Sequence, residues 1–460
     1  MAQPGTGTGR RIFLFFDGTW NDIDFGTQDT NVVRLREHLA AALDPAPTNV
    51  MAGTGGSCGS PRTGAAAGHG GAMVSSVRFA DVDHLVFYER GVGTGALDRI
   101  RGGAFGEGLA QNVRRGYRIL ARHYAPGDEV FVFGFSRGAY TARSLVGMLH
   151  AVGLLRCADC TPANERTAWE YYRSSPNDRL SGTRAALSRL VHPEGEPRIA
   201  CLGVFDTVGA LGIPSPRFAL LNRDRYEFHD VRLSPIVQVS LQALAIDEHR
   251  WAFSPTLWRR YRFKRYGTTC EQVWFAGGHA DVGGGEISAA ERAGGGRFLD
   301  DISLDWMLRR LQDHFPTLPF RDRDPPAAKP DALPIQHDRR RGAYLLQPKG
   351  LRAIANRGAA VGRFERITGA DRFELPTGEM VHVSALERFG RKVSINGRRM
   401  RYRPPNLLAV AAAIRATYAA VPPPPRDWIP VVDWSGKMLE PGSQKCRDTV
   451  AAAMARFPRG

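Results

Sequence analysis

Residues 130–144 read VFVFGFSRGAYTARS, and Gly134-Phe135-Ser136-Arg137-Gly138 inside that run has G-x-S-x-G spacing. That spacing can set a serine nucleophile on a sharp turn between a strand and a helix. Gly and Ser are common, so context has to supply the specificity. The turn needs an apolar strand before it, a helix after it, and small residues on either side. The nucleophile's backbone is forced into an unfavourable region there, and strand and helix pack closely. Here "EVFVF" precedes the serine, Gly134 and Gly138 flank it, and Ala139 and Ala142 open the next helix. The helix start turns free N–H groups and its positive dipole end toward the site. A nucleophile elbow is the expectation, and a Gly-rich turn without chemistry is the competing reading.

A serine hydroxyl needs a base, and the base needs an orienting carboxylate. In elbow enzymes the chain order is Ser, then Asp or Glu, then His. Asp206 follows "IACLGVF" and His279 follows "QVWFAGG", so both are expected at the carboxyl ends of buried strands. Ser136 would attack, His279 would take its proton, and Asp206 would fix the imidazole tautomer. Asp247 in "LAIDEHR" and His382 in "MVHVSAL" are the rivals. Asp247 reads as part of a helix, and His382 lacks the strand-then-glycine surroundings. Asp281, two residues past His279, is expected to shape the loop or bind an ion. Acyl transfer also needs backbone donors for an oxyanion. Arg137 supplies one N–H, and Asp17-Gly18-Thr19, after the first strand, is the expected source of the other through Gly18 or Thr19. An Asp17–Arg137 ion pair would hold that loop against the elbow. No metal or cofactor is called for.

The elements that must position these residues alternate. Strands are expected at 11–16, in 84–95 before a Gly-rich loop, in "DEVFVFGFSRG" (128–138), in 198–212 up to Asp206, and in 271–285 before a second Gly-rich loop, with helices over 30–43, 106–124, 138–152, much of 165–192, and 236–250. Residues 300–314 and 407–420 also read as helices. Alternation with polar residues just after strands predicts an α/β fold: an open, mostly parallel sheet with helices on both faces. Ligands of such sheets sit outside the carboxyl ends of the strands. Residues 51–76 are rich in Gly, Ala and Ser and read as a flexible surface insertion. The α/β domain is expected over 11–408, with 286–380 as a lid or cap insertion and 409–460 as a helical and Pro-rich C-terminal extension. Pro422–Pro425 reads as a stiff spacer.

The chain has 460 residues and a net charge of +16, from 62 basic and 46 acidic residues. This favours anionic surfaces. No zinc-finger spacing, basic zipper or RNA-binding strand motif is present, so nucleic acid is not an expected partner. Six scattered cysteines do not make a disulfide framework, and Cys157-Ala-Asp-Cys160 is a lone C-x-x-C without an assigned role. The start "MAQPGTGTGRRIFLFFDG" does not read as a signal peptide, so synthesis in the cytoplasm is expected. No run approaches the ~18 apolar residues of a membrane span.

Eight stretches together resemble the first family of type VI secretion lipase effectors. They are "FFDGTWND" (15–22), "TNVVRL" (30–35), "YERGVGTG" (88–95), "GFSRGAYTAR" (134–143), "GVFDTVGALG" (203–212), "ALAIDEHRWAFSPTLW" (243–258), "VWFAGGHADVGGG" (273–285) and "RYRPPNL" (401–407). The resemblance implies an α/β-hydrolase fold and a metal-free phospholipase A cleaving acyl esters of glycerophospholipids. It places the family's triad on Ser136, Asp206 and His279. It further implies a phospholipid membrane surface, a secretion spike protein and an immunity protein as partners, with delivery into a target-cell periplasm. Against the family pattern, 51–76 reads as an insertion, and the chain is short of the large C-terminal membrane-docking module of long members. A soluble carboxylesterase or thioesterase, and a non-catalytic scaffold or delivered domain, are the alternatives.

Overall fold

The structure is a computed structural model. It describes residues 9–18, 29–40, 48–51, 73–79, 82–91, 102–174, 179–193, 195–208, 232–261, 267–294, 297–320, 333–346, 349–355, 374–376, 378–419, 429–441 and 443–457. The first half runs β1 (Arg11–Phe16), α1 (Asn31–Ala40), β2 (Thr48–Met51), β3 (Met73–Phe79), β4 (Val82–Glu89), α2 (Gly102–His123), β5 (Glu129–Phe135), α3 (Arg137–Val152), α4 (Pro162–Arg173), α5 (Ser181–Ser188) and β6 (Ile199–Phe205). The second half runs β7 (Val237–Ala245), β8 (Arg259–Tyr261), β9 (Thr269–Phe275), α6 (His279–Gly283), α7 (Ala289–Ala293), α8 (Leu299–His314), β10 (Glu374–Pro376), β11 (Glu379–His382), α9 (Val383–Arg388), β12 (Lys392–Ile395), β13 (Arg398–Arg401), α10 (Pro405–Ala419), β14 (Val431–Val432) and α11 (Gln444–Met454).

Ten strands form one sheet in the order β14-β11-β9-β7-β6-β5-β1-β4-β3-β2. The eight from β14 to β4 are parallel, and β3 and β2 continue the edge antiparallel. The fold is α/β, as expected. The two-residue period of β1 shows how the layers arise. Phe13 and Phe15 point to one core with α1 and α8, while Ile12, Leu14 and Phe16 point to another with α2 and α3. Covered on both faces, these strands are continuous apolar runs rather than alternating ones.

Two readings need correction. Residues 236–250 were expected as a helix, yet Val237–Ala245 is β7, a strand paired on both sides and buried at eight of nine positions. Its Leu, Gln and Ala favour helix, and the period-2 signal vanishes when both faces are buried. The expected insertion 51–76 contributes Met51 to β2 and residues 73–76 to β3 at the sheet edge; residues 52–72 lie outside the described residues. Cys157 is disulfide-bonded, while Cys160, Cys201 and Cys270 are free, so the C-x-x-C pair is not closed on itself.

Residues 409–460, set apart above as an extension, contribute β14 to the sheet and α11 to a third core, which α9, α10 and the β9–β11 edge share. The tetraproline lies outside the described residues.

Candidate active site

Parallel strands put their carboxyl ends at one edge, and the singled-out residues gather there. Phe135 of β5 pairs with Phe205 of β6, and Phe205 pairs with Ala243 of β7. Ser136 and Asp206 each come one residue after their strand. β9 lies beyond β7, and Gly277-Gly278 carries the chain back so that His279 starts α6 over the end of β7.

Ser136 sits at φ 57°, ψ −119° immediately before α3. That is a strained conformation for a residue with a side chain, costing on the order of 1–3 kcal/mol. The neighbours enforce it. A Cβ at Gly134 would lie 2.5 Å from the Gly138 carbonyl oxygen, and one at Gly138 would lie 2.1 Å from the Phe16 carbonyl oxygen. Any larger residue would push the turn off the ends of β5 and β1. Asp206 is strained too, at φ 40°.

The three side chains meet. Ser136 Oγ is 2.8 Å from His279 Nε2, and His279 Nδ1 is 2.6 Å from Asp206 Oδ2. All three are buried. An ionised carboxylate only accepts, so Nδ1 carries the proton and Nε2 is left to accept from the serine hydroxyl. The imidazole lies against the rings of Phe135 and Phe253, with centroids 4.7 and 5.1 Å away. Burial pushes its pKa down despite the opposing pull of Asp206. It is therefore neutral, and competent as a base, near neutral pH.

Arg352 is the residue that sequence reasoning missed. Its guanidinium grips Asp206 with both arms, Nη1 to Oδ1 at 2.6 Å and Nη2 to Oδ2 at 3.0 Å. It also donates to the carbonyls of Ala245 and Phe253. The Ala245 N–H also donates to Asp206, at 3.0 Å. Burial opposes ionisation of Asp206, but the Arg352 charge and the His279 hydrogen bond outweigh it and hold the carboxyl well below its usual range. Nothing local in the sequence announces Arg352, which lies 146 residues from its partner.

The rivals stand elsewhere. Asp247 follows a strand, not a helix interior as expected, and its Oδ2 accepts from Gly277 N at 2.7 Å and Tyr402 Oη at 2.8 Å. It braces the turn before His279 without touching the imidazole by a hydrogen bond. His382 ends β11, bonds Ser384 through Nδ1 at 2.8 Å, and stacks on Phe275. Asp281 accepts from Gly278 N and pairs with His337, so it shapes the loop.

The loop after β1 differs from expectation. Asp17 accepts from Tyr88 Oη at 2.7 Å, from Thr30 Oγ1, and from its own neighbour Gly18 N at 2.7 Å, and is not paired with Arg137. Three short donors saturate the carboxylate, which leaves no call for the arginine. The Gly18 N–H is thereby engaged, and Thr19 lies outside the described residues. Arg137 N stands at the first position of α3.

A small apolar cluster of Val208, Phe253 and Tyr344 adjoins the imidazole. Among the described residues, no group of His, Cys, Asp and Glu could hold a metal ion, and no helix is long and apolar enough to cross a membrane.

The family described as the type VI secretion, phospholipase effector Tle1-like, catalytic domain matches residues 10–310. The chain belongs to that family. Within this Tle1-like family member, the match spans β1 to α8 and includes Ser136, Asp206 and His279, but not Arg352. The chain is also 29% identical over 254 residues to the uncharacterized protein YEL023C of Saccharomyces cerevisiae. That alignment covers 54% of this chain but 32% of the yeast protein, so the chain spans about a third of that relative's length. A solved structure of an uncharacterized Pseudomonas aeruginosa protein aligns at 16% identity and TM-score 0.31, over 68% of this chain and 46% of that one.

Proposed function

We propose that this Tle1-like chain is a serine-dependent carboxylic ester hydrolase acting on phospholipids, of the phospholipase A type. The observation that carries the proposal is the unbroken chain of short contacts from Ser136 through His279 to Asp206 at one sheet edge. Ser136 Oγ attacks the acyl carbonyl as His279 Nε2 takes its proton. Asp206 keeps the imidazole in the reactive tautomer and stabilises the imidazolium that forms. The oxyanion faces Arg137 N at the start of α3. Gly18 N would serve as second donor on leaving Asp17, and Thr19 is the alternative in the same loop. His279 then gives its proton to the departing glycerol oxygen, and water repeats the sequence to release the fatty acid. Arg352 keeps Asp206 ionised throughout. The apolar cluster beside the imidazole favours an acyl chain over a polar substituent.

The family's description supports a role as a type VI secretion effector, made in the cytoplasm and delivered to a target cell, with a spike protein and an immunity protein as partners. The enzymatic claim is tested by fatty-acid release from phospholipid vesicles. Wild type should release it and Ser136→Ala should lose at least about a thousandfold in rate. A protein that cleaves short soluble esters but leaves vesicles intact would instead be a soluble esterase.

A further inference from the structure

The hairpin β12–β13 is built almost entirely of cations on its outer surface. Arg391, Lys392, Arg398, Arg399, Arg401 and Arg403 are all exposed, and no acidic residue interrupts residues 388–405. Among the described residues, no ion pair holds any of these six side chains. Lys392 even faces Arg401 directly across the ladder. Like charges in that position cost stability, and a chain that keeps such a cost without an internal counter-charge has an external one to meet. Met400, between the arginines, is 50% exposed, and Ile335, beside the hairpin, is 49% exposed.

The hairpin is tied to the elements of the candidate site. Val393 and Tyr402 are buried in the third core. Tyr402 Oη bonds Asp247, which bonds Gly277 N, two residues from His279. At the tip, Asn396 exchanges hydrogen bonds with Asp338 in both directions and donates its N–H to Gln336. Between those two residues, His337 reaches Asp281 on α6, the helix that begins with His279. The cations are thus mounted at both ends on the elements that carry the imidazole.

We propose that the β12–β13 hairpin is the surface by which this protein docks on an anionic phospholipid bilayer. The arginines and lysine meet lipid phosphates, with Lys392, Arg399 and Arg401 on one face of the ladder. Exposed cations without a counter-charge match an anionic headgroup layer; a single-stranded nucleic acid would call for stacking aromatics beside them, and no aromatic is exposed on the hairpin. The inference rests on the phospholipase reading for its purpose, because docking there presents the site to its substrate.

The test is cosedimentation of the full chain in the Ser136→Ala background, so that vesicles stay intact, with phosphatidylcholine vesicles with and without phosphatidylglycerol. The parent should bind the phosphatidylglycerol vesicles, less tightly as salt rises. Arg399→Gln/Arg401→Gln should weaken binding roughly 30-fold, from about 1 kcal/mol per basic residue at the surface. The charge-matched control is Arg122→Gln/Arg198→Gln, which precede β5 and β6 at the opposite edge of the sheet. It should change binding less than about threefold, since those charges lie at the ends of the strands away from the candidate site. The thermal melt of each variant confirms the fold. Equal losses in the two double variants, no loss in the hairpin variant, or tighter binding to duplex DNA than to vesicles would overturn the proposal. Docking and hydrolysis fail separately: a wild type that binds vesicles but releases no fatty acid sinks the phospholipase reading alone, and one that hydrolyses them while the hairpin variant binds equally sinks the docking alone.

Discussion

Asp206 and Asp247 stand at the ends of neighbouring strands, β6 and β7, and both are buried. Their surroundings drive them apart. Asp206 is gripped by the two arms of Arg352 and held ionised. Asp247 has a neutral tyrosine hydroxyl and a backbone N–H, and burial pushes its pKa up to about 6. Burial alone disfavours the charge at either place, so the presence of a cation decides. The two buried histidines divide in the same way. His279 has an ionised carboxylate on one nitrogen and a serine on the other. His382, with Ser384 on its Nδ1 and Phe275 under its ring, is held by burial to about 3 and stays neutral throughout the physiological range. Position at the sheet edge is therefore not enough to make a working acid–base pair; an ion that is itself neutralised by a buried partner is needed.

The comparison breaks most sharply under matched substitutions. Asp206→Asn should lower kcat by about 10⁴-fold, because the amide no longer selects the tautomer. Asp247→Asn, which keeps shape and a hydrogen-bonding oxygen, should lower it less than about tenfold, since the residue acts only on the turn. Equal losses in steady-state ester hydrolysis would erase the distinction.

A smaller effect sharpens the role of Arg352. Activity needs neutral His279, so the rate falls as pH drops through the imidazole pKa, which burial sets below its ordinary 6.5. Removing the Arg352 charge exposes the imidazole to the full Asp206 carboxylate and raises that pKa. The acidic limb of the pH–rate profile in Arg352→Gln should move up by on the order of one pH unit. Arg352→Lys should keep it near the wild-type position. A loss of rate with an unmoved limb would make Arg352 a packing residue only. Breaking this buried pair should also cost about 3–5 kcal/mol of stability, seen as a lower melting temperature.

The smallest effect concerns Asp247. Its folded pKa, about 6, exceeds its ordinary 3.8. Between those values the unfolded chain releases a proton that the folded chain keeps, so this group's contribution to stability falls as pH rises through that window. Asparagine does not titrate. The melting temperature of Asp247→Asn relative to wild type should therefore improve between about pH 4 and pH 7. A constant difference would show that Asp247 is charged in the fold.

The site was more legible in the sequence than its support. Ser136, Asp206 and His279 each follow an apolar run and small residues, which are local signals of a strand end. Arg352 has no such signal: it is one of 62 basic residues, and only the folded sheet brings it to Asp206. The same limit explains β7 and Asp247. A strand buried on both faces loses its alternation, so Val237–Ala245 read as a helix and Asp247 as a helix residue. At the loop after β1 the residue types were right but the pairing was not, because the reach of Tyr88 and Thr30 to Asp17 depends on β4 and α1 lying on either side.

The central claim is that this neutralised ion pair makes Ser136 a nucleophile. Labelling with a fluorophosphonate, located by mass spectrometry of the digested protein, tests it most directly. The account predicts one adduct, on the peptide containing Ser136, forming in wild type, absent in Ser136→Ala and strongly slowed in Asp206→Asn. An adduct on another residue, or equal labelling of wild type and Ser136→Ala, would contradict it.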